Sequence, residues 1–298
     1  MPPVIAFRSM LYAPGSEPRK MRKALDAGAD AVIFDLEDAV APDQKAHARG
    51  EIARLLDELA AERAPHPPVF VRVNPSDGGL QEDDLVAAVR AGLTGLKLPK
   101  TESAEELVRL DEVCRGLEAA RELQQGSVVV IPGIESVRGL QIADAIARGP
   151  RVACLSFGAV DFARDIGTEP SADGTESLVA MSLIAYSSAA AGIQRPFDSA
   201  WSDLGDEDGL RRTARLARKL GFQGKAVIHP RQVAAVNDIF GVTDAEVARA
   251  RAVLAEAAAA EQSGRGAVQV RGALVDAAHV RRARAIVDLY EGQEPHDA

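Results

Sequence analysis

Cysteine is nearly absent from this chain of 298 residues. It has only Cys114 and Cys154, and neither stands in a C-x-x-C pair. A disulfide framework is therefore excluded, and both thiols fall in apolar patterns where the side chain acts as a small buried hydrophobe. Histidine is also scarce, with five residues and none at metal-ligand spacing. The opening stretch MPPVIAFRSM lacks the basic start and long apolar core of a secretory signal. The longest uncharged run, Ser177 to Gln194, holds several serines, a tyrosine and a glycine, so it is too short and polar for a membrane span and is expected to be a buried helix. A cytoplasmic location is the expectation. Positive charge is in deficit, with Lys plus Arg 35 against Asp plus Glu 44, for a net charge of −9. Such a surface repels nucleic acid and anionic membranes, although a local basic pocket still suits a phosphorylated cofactor.

There is ample material for a core: 47% of residues are hydrophobic and 27% charged, which excludes disorder as the main state. Length alone suggests about two domains at ~150 residues each, but barrels often exceed that as single units. Short apolar, β-branched runs alternate with helical stretches. The strand candidates are Met10–Ala13, Ala31–Asp35, Val69–Val73, Gly95–Leu98, Val128–Ile134, Val152–Phe157, Ile193–Pro196 and Gly224–Ile228. Helical patterns cover Pro18–Ala27, Gln44–Ala61, Gln81–Ala91, Ala104–Leu123, Ser136–Ala147, Leu178–Ala191 and Gly209–Leu220. Near-continuous apolar strands separated by helices predict a parallel sheet covered on both faces. The turn after the first strand reads Ala13-Pro14-Gly15-Ser16, without the G-x-G-x-x-G of a dinucleotide-binding sheet. The expected fold is α/β, a (β/α)8 TIM barrel over residues 1–240.

Past Phe240 the rhythm changes, and residues 241–298 read as a small C-terminal extension. A Thr243-x-x-Glu246 capping box starts a helix running to about Glu261. A turn at Gln262–Arg265, a short strand pair within Ala267–Leu274 and a last helix at Ala277–Tyr290 follow. This piece is too small to bury a core alone, so it is expected to pack on the barrel or on a neighbouring subunit.

Polar clusters follow six of the strands: Asp35-Leu36-Glu37-Asp38, Arg72-Val73-Asn74, Lys97-Leu98-Pro99-Lys100, Glu135-Ser136, Gly158-Ala159-Val160-Asp161 and Ile228-His229-Pro230. In a barrel these positions meet at the C-terminal face, where catalytic groups gather. Glu135 and Asp161 follow adjacent strands, and two convergent carboxylates without Cys or His suit a hard cation such as Mg²⁺. The plainer reading has each one capping a helix or pairing with Arg138 or Arg164. Arg72 ends an otherwise apolar run and needs an anionic partner, either Asp35 or Glu37 or a substrate oxyanion. Asp35, Glu37 and Asp38 are crowded like charges, which raises at least one pKa toward use as a general acid or base; Asp35 is expected to support the metal through water. His229 suits a structural hydrogen bond at least as well as a base.

The chain resembles the HpcH/HpaI aldolase/citrate lyase family, in its citrate-lyase-β-like and malyl-CoA/citramalyl-CoA lyase branch. The motifs that carry the resemblance are Arg8–Gly15, Asp35–Val40, Val71–Asn74, Leu98–Lys100, Ile134–Ser136, Gly158–Asp161 and Gly221–Pro230. It implies a barrel in trimers or hexamers, Mg²⁺ on Glu135 and Asp161, and Arg72 engaging a 2-oxo acid, with Gly158, Ala159 and Val160 at the substrate. Glu37 and Asp38 would lie near the metal waters. It further implies cleavage of 3-hydroxyacyl-coenzyme A esters such as malyl-CoA or citramalyl-CoA into a 2-oxo acid and an acyl-CoA. Asp276, in Gly272-Ala273-Leu274-Val275-Asp276, would be an acidic residue lent by a neighbouring subunit. Arg8, Arg19, Lys20 and Lys100 are candidates for the CoA phosphates. The competing readings are a citrate lyase β subunit acting on a citryl thioester, a metal-dependent 2-oxo acid aldolase without CoA, and a non-catalytic CoA-binding barrel.

Overall fold

The computed structural model describes residues 7–62, 64–171, 173–262, 268–270 and 273–291. The chain divides into two compact units, Met1–Phe240 and Gly241–Ala298. In the first, the elements run β1 (Ser9–Pro14), α1 (Pro18–Leu25), β2 (Ala31–Asp35), α2 (Lys45–Glu62), β3 (Val69–Arg72), α3 (Gln81–Ala88), β4 (Gly95–Leu98) and α4 (Ala104–Ala120). They continue with β5 (Val129–Ile134), α5 (Val137–Gln141), α6 (Ala143–Ala147), β6 (Cys154–Phe157), α7 (Ala159–Asp165), α8 (Leu178–Ala191), β7 (Gln194–Asp198), α9 (Glu207–Lys219), β8 (Gly224–Val227) and α10 (Val233–Phe240). The eight strands close in chain order into a parallel barrel, with β8 returning to β1. This is the TIM barrel expected from the alternation.

The period of two along each strand sorts its side chains into two apolar clusters. Leu11, Val32, Phe34, Val71, Leu96 and Leu98 join the layer between sheet and helices. Met10, Ile33, Phe70, Ile131, Cys154 and Phe197 fill the barrel interior, with Phe7 meeting Phe70 edge-on at 6.1 Å. Both cysteines are fully buried, as their patterns suggested. Above this filling the interior turns polar. Asp35 is registered with Arg72, Arg72 with Lys97, and Lys97 with Ile131, so an acid and two bases stand side by side in one layer.

Three expectations change. The seventh strand does not stop at Pro196 but runs on to Asp198. A register shift between Cys154 and Ser156 accommodates the proline, which needs no ladder N–H at a bulge. The single helix expected over Ser136–Ala147 is broken at Ile142 (φ −116°, ψ 18°) into α5 and α6. The uncharged helix α8 buries only one face, Ala180, Met181, Ile184 and Ser188, and leaves Val179 and Tyr186 exposed. Among the described residues no helix is long and apolar enough to cross a membrane.

The second unit holds α11 (Asp244–Gln262), an antiparallel pair β9 (Val268–Val270) and β10 (Ala273–Val275), and α12 (Ala277–Glu291). The capping box forms: Thr243 N–H donates to Glu246 Oε2 at 2.9 Å, and Glu246 N–H to Thr243 Oγ1 at 3.2 Å. Most of the expected turn at Gln262–Arg265, together with Ala267 and Gly272, lies outside the described residues.

Candidate active site

The strand ends enclose a cavity of about 270 Å³ at the C-terminal mouth, lined by Tyr12, Asp35, Arg72, Lys97, Glu135, Asp161 and the segment Gly158-Ala159-Val160. Arg72, at the end of β3, is the hub. Its Nε and Nη2 donate to the two oxygens of Asp35 at 2.6 Å each, and Nη1 meets Glu37 Oε2 at 2.7 Å. Its guanidinium also stacks over the Tyr12 ring, 5.0 Å from the centroid. Burial works to lower the Arg72 pKa, but the Asp35 hydrogen bonds and the charges of Asp35 and Glu37 outweigh it and hold the guanidinium well above its ordinary value. Tyr12 is pushed up by its burial, so it remains a phenol.

Asp35 is fully buried and accepts from Arg72 and from the backbone N–H groups of Glu37 (2.9 Å) and Ala39 (3.0 Å). Its two oxygens are spent on these four donors. It is the anchor that aims Arg72 and shapes the loop after β2, rather than the water-bridged metal support expected from sequence.

Glu37 is the acid with a perturbed pKa. Burial raises it, and the opposing pull of Arg72 and the Lys100 hydrogen bond does not fully compensate, leaving it above the ordinary carboxylate value. Lys100 Nζ donates to Glu37 Oε1 at 2.6 Å from a left-handed backbone (φ +47°), a costly state for a residue with a Cβ. Lys100 is thus tied to Glu37, with Asp38 at 3.9 Å, and does not stand free for a phosphate. Asp38 itself is exposed.

Glu135 follows β5 and Asp161 lies in the first turn of α7, behind β6. Two glycines cradle Glu135. A Cβ at Gly158 would come within 2.6 Å of Glu135 Cγ, and one at Gly133 would collide with its carboxylate and come within 2.7 Å of Lys97 Nζ. Asp161 accepts from Arg164 at 2.6 Å, so the plain pairing reading holds for it. Arg138 turns to Glu102 (3.9 Å) instead of Glu135. Among the described residues no three or more His, Cys, Asp or Glu cluster as a ready cation cage. Glu135 and Asp161 supply hard oxygens alone, which fits Mg²⁺, an ion that keeps several waters and takes substrate oxygens on one or two carboxylates.

Lys97 was not singled out in the sequence, although a lone lysine among the apolar residues of Gly95–Leu98 was a signal. It faces the barrel interior, buried, with its Nζ 3.9 Å from Glu135 Oε1. Burial lowers its pKa more than the charge of Glu135 raises it. Asp198 was also missed because it lay beyond the proline that was expected to end β7. It forms a buried pair with Lys225 at 2.5 Å.

Other expected site residues sit elsewhere. Arg8 precedes β1 at the opposite, N-terminal end of the barrel, where Nε and Nη2 donate to Asp30 at 2.8 and 2.7 Å, so it does not line the mouth. Arg19 and Lys20 are exposed on α1, just past the C-terminal end of β1. His229 caps the turn Pro230–Gln232, its Nδ1 accepting from Arg231 N–H at 3.2 Å, the structural role. Asp276 caps α12 in the second unit, accepting from Ala278 N–H (2.9 Å) and His279 N–H (3.1 Å) with His279 Nδ1 at 2.7 Å.

Residues 8–230, which include all eight strands and the mouth they form, match the family model HpcH/HpaI aldolase/citrate lyase. The chain belongs to that family. Residues 182–290 also match a model described as a carbon–carbon bond lyase of the TIM-barrel fold, and the chain is a carbon–carbon lyase. It is 36% identical to citrate lyase subunit beta of Haemophilus influenzae, over 94% of this chain and 96% of that protein. It is 34% identical to the L-malyl-CoA/beta-methylmalyl-CoA lyase of Cereibacter sphaeroides, covering 96% and 95%. It also resembles the crystal structure of CitE from Mycobacterium tuberculosis in complex with magnesium, acetoacetate and coenzyme A (TM-score 0.76, 30% identity, 96% and 99% covered).

Proposed function

We propose that this lyase cleaves, or in reverse forms, a 3-hydroxyacyl-CoA such as malyl-CoA or citramalyl-CoA, giving a 2-oxo acid and an acyl-CoA with Mg²⁺ as cofactor. The observation that carries the reading is the placement of Glu135 and Asp161 behind neighbouring strands on one cavity, with Arg72 fixed beside them. Held there, magnesium would supply a hard Lewis acid for the substrate's carboxylate and hydroxyl oxygens. Arg72, aimed by Asp35, stabilises negative charge on the reacting oxygen as the carbon–carbon bond breaks. Glu37 is the carboxylate best suited to take the hydroxyl proton, because its raised pKa makes it a stronger base than an ordinary glutamate, and exposed Asp38 bounds the same edge of the mouth. Gly158, Ala159 and Val160 form the wall against which the substrate lies. Arg19 and Lys20 are offered to the CoA phosphates. Asp276 would serve the proton at the enolate carbon from a neighbouring copy in a homo-oligomer, a trimer in our reading.

Incubating malyl-CoA and citramalyl-CoA with the protein and Mg²⁺ should release acyl-CoA by mass spectrometry, and chelation should stop the release until Mg²⁺ is restored. Glu135→Gln should lower kcat/KM by more than the about 100-fold that loss of an outer partner of a metal costs. Near-normal turnover in that variant would overturn the reading.

A further inference from the structure

Among the described residues Lys97 is the buried cation whose charge is least used. Its ammonium has three donors, yet its nearest carboxylate oxygen, on Glu135, is 3.9 Å away, beyond hydrogen-bond reach. Only 7% of the residue is exposed, and it lines the floor of the mouth cavity. Arg72, next to it in the same layer, by contrast commits three of its five N–H donors to Asp35 and Glu37. The ammonium therefore opens onto the cavity, where a ligand oxygen or a water can take its donors. Gly133 keeps the space in which Nζ lies, since a Cβ there would come within 2.7 Å of it.

We infer that Lys97 is a substrate-binding residue, its ammonium taking a carboxylate oxygen of the 2-oxo acid half at the floor of the cavity. The assignment rests on the proposed lyase reading. It divides the labour between two cations: Arg72, locked to its acids, serves the oxygen on which charge develops, and Lys97 anchors the end of the substrate that carries charge throughout. Loss of Lys97 should therefore weaken binding of the oxo acid and leave the CoA half alone.

The test is calorimetry of pyruvate, glyoxylate and acetyl-CoA with the full chain in Mg²⁺, for the native protein and Lys97→Met, together with thermal melts. Lys97→Met should raise the Kd of both oxo acids at least about tenfold, the factor expected for one lost hydrogen bond to a charged group. The acetyl-CoA Kd should stay unchanged, as a residue confined to the oxo-acid end of the cavity requires. Lys97→Arg should recover part of the oxo-acid affinity. Unchanged oxo-acid affinity in Lys97→Met, or an equal loss for acetyl-CoA with a lowered Tm, overturns the assignment and makes Lys97 a structural residue. If the native protein binds neither oxo acid in Mg²⁺, the lyase reading itself has failed and the assignment falls with it.

Discussion

The two ends of the barrel treat their charges in opposite ways. At the N-terminal end, Arg151 donates to Asp111 at 2.5 Å, to both oxygens of Glu118 at 2.6 and 2.9 Å, and to the Val128 carbonyl at 3.1 Å. Glu118, fully buried, also accepts from the N–H groups of Gly126 and Val128, and Arg8 is clamped to Asp30. These charges are spent on other parts of the scaffold. At the C-terminal mouth Asp35 is just as thoroughly satisfied, but Lys97 and Glu135 stand apart at 3.9 Å and Glu37 sits above its ordinary pKa. Both ends hold left-handed residues that are not glycine, Glu122 (φ +54°) and Arg151 (φ +62°) at the bottom and Lys100 (φ +47°) at the mouth. Identical chemistry thus serves fastening at one end and reserve at the other; what separates them is whether the partners are complete.

The contrast can be broken most forcefully at the bottom. Arg151→Met strands two acids, one of them fully buried, and should cost about 3–5 kcal/mol in urea unfolding with activity per folded molecule unchanged; a cost under about 1 kcal/mol would refute the fastening role. Burial tends to raise Asp111 and Glu118, but the hydrogen bonds from Arg151 carry both below the ordinary carboxylate values. With folded pKa values below the unfolded ones, their contribution is complete above the ordinary carboxylate range and is lost as pH falls through the lowered values. The acid side of the stability curve should accordingly flatten in the variant. At the mouth the matching change is Arg72→Lys, which gives up the planar fork. It should lower kcat by about 10²–10³, the range for a lost oxyanion donor, with a smaller loss of stability than Arg151→Met; activity within a few-fold of native would remove Arg72 from the chemistry. The smallest effect concerns pH alone. If Glu37 is the base, the acid limb of kcat/KM lies above the ordinary glutamate range and disappears in Glu37→Gln. A limb that persists in that variant would hand the role to another carboxylate.

Much of this was legible in the sequence because a barrel repeats its signal. Eight apolar runs separated by helices fix the closed sheet, and polar residues that follow one strand after another mark the mouth. Glu135, Asp161 and Arg72 were placed at the mouth that way, and the structure sets them around one cavity. Lys97 stood in the cluster Lys97-Leu98-Pro99-Lys100 but drew no role, because β4 has only four residues, too few for inside and outside to separate by alternation. Asp198 was hidden by Pro196, which reads as a strand end unless the extra residue that β7 carries against β6 is known. Arg8 and Lys100 were misjudged for one reason: composition shows a basic residue but not the acid that already occupies it. That acid comes from the next βα unit for Arg8 and from two units away for Lys100, and only the folded register brings them together.

The concealed sulfurs of Cys114 and Cys154 have a practical consequence. Burial pushes both thiols up to about 12, so neither offers a thiolate to an alkylating reagent at neutral pH. A cysteine introduced at the exposed position 285 on α12 would then be the sole handle for a maleimide dye. Its emission, followed while substrate is added, would report whether the surroundings of α12 change during turnover, without any need to strip the native protein of its sulfur.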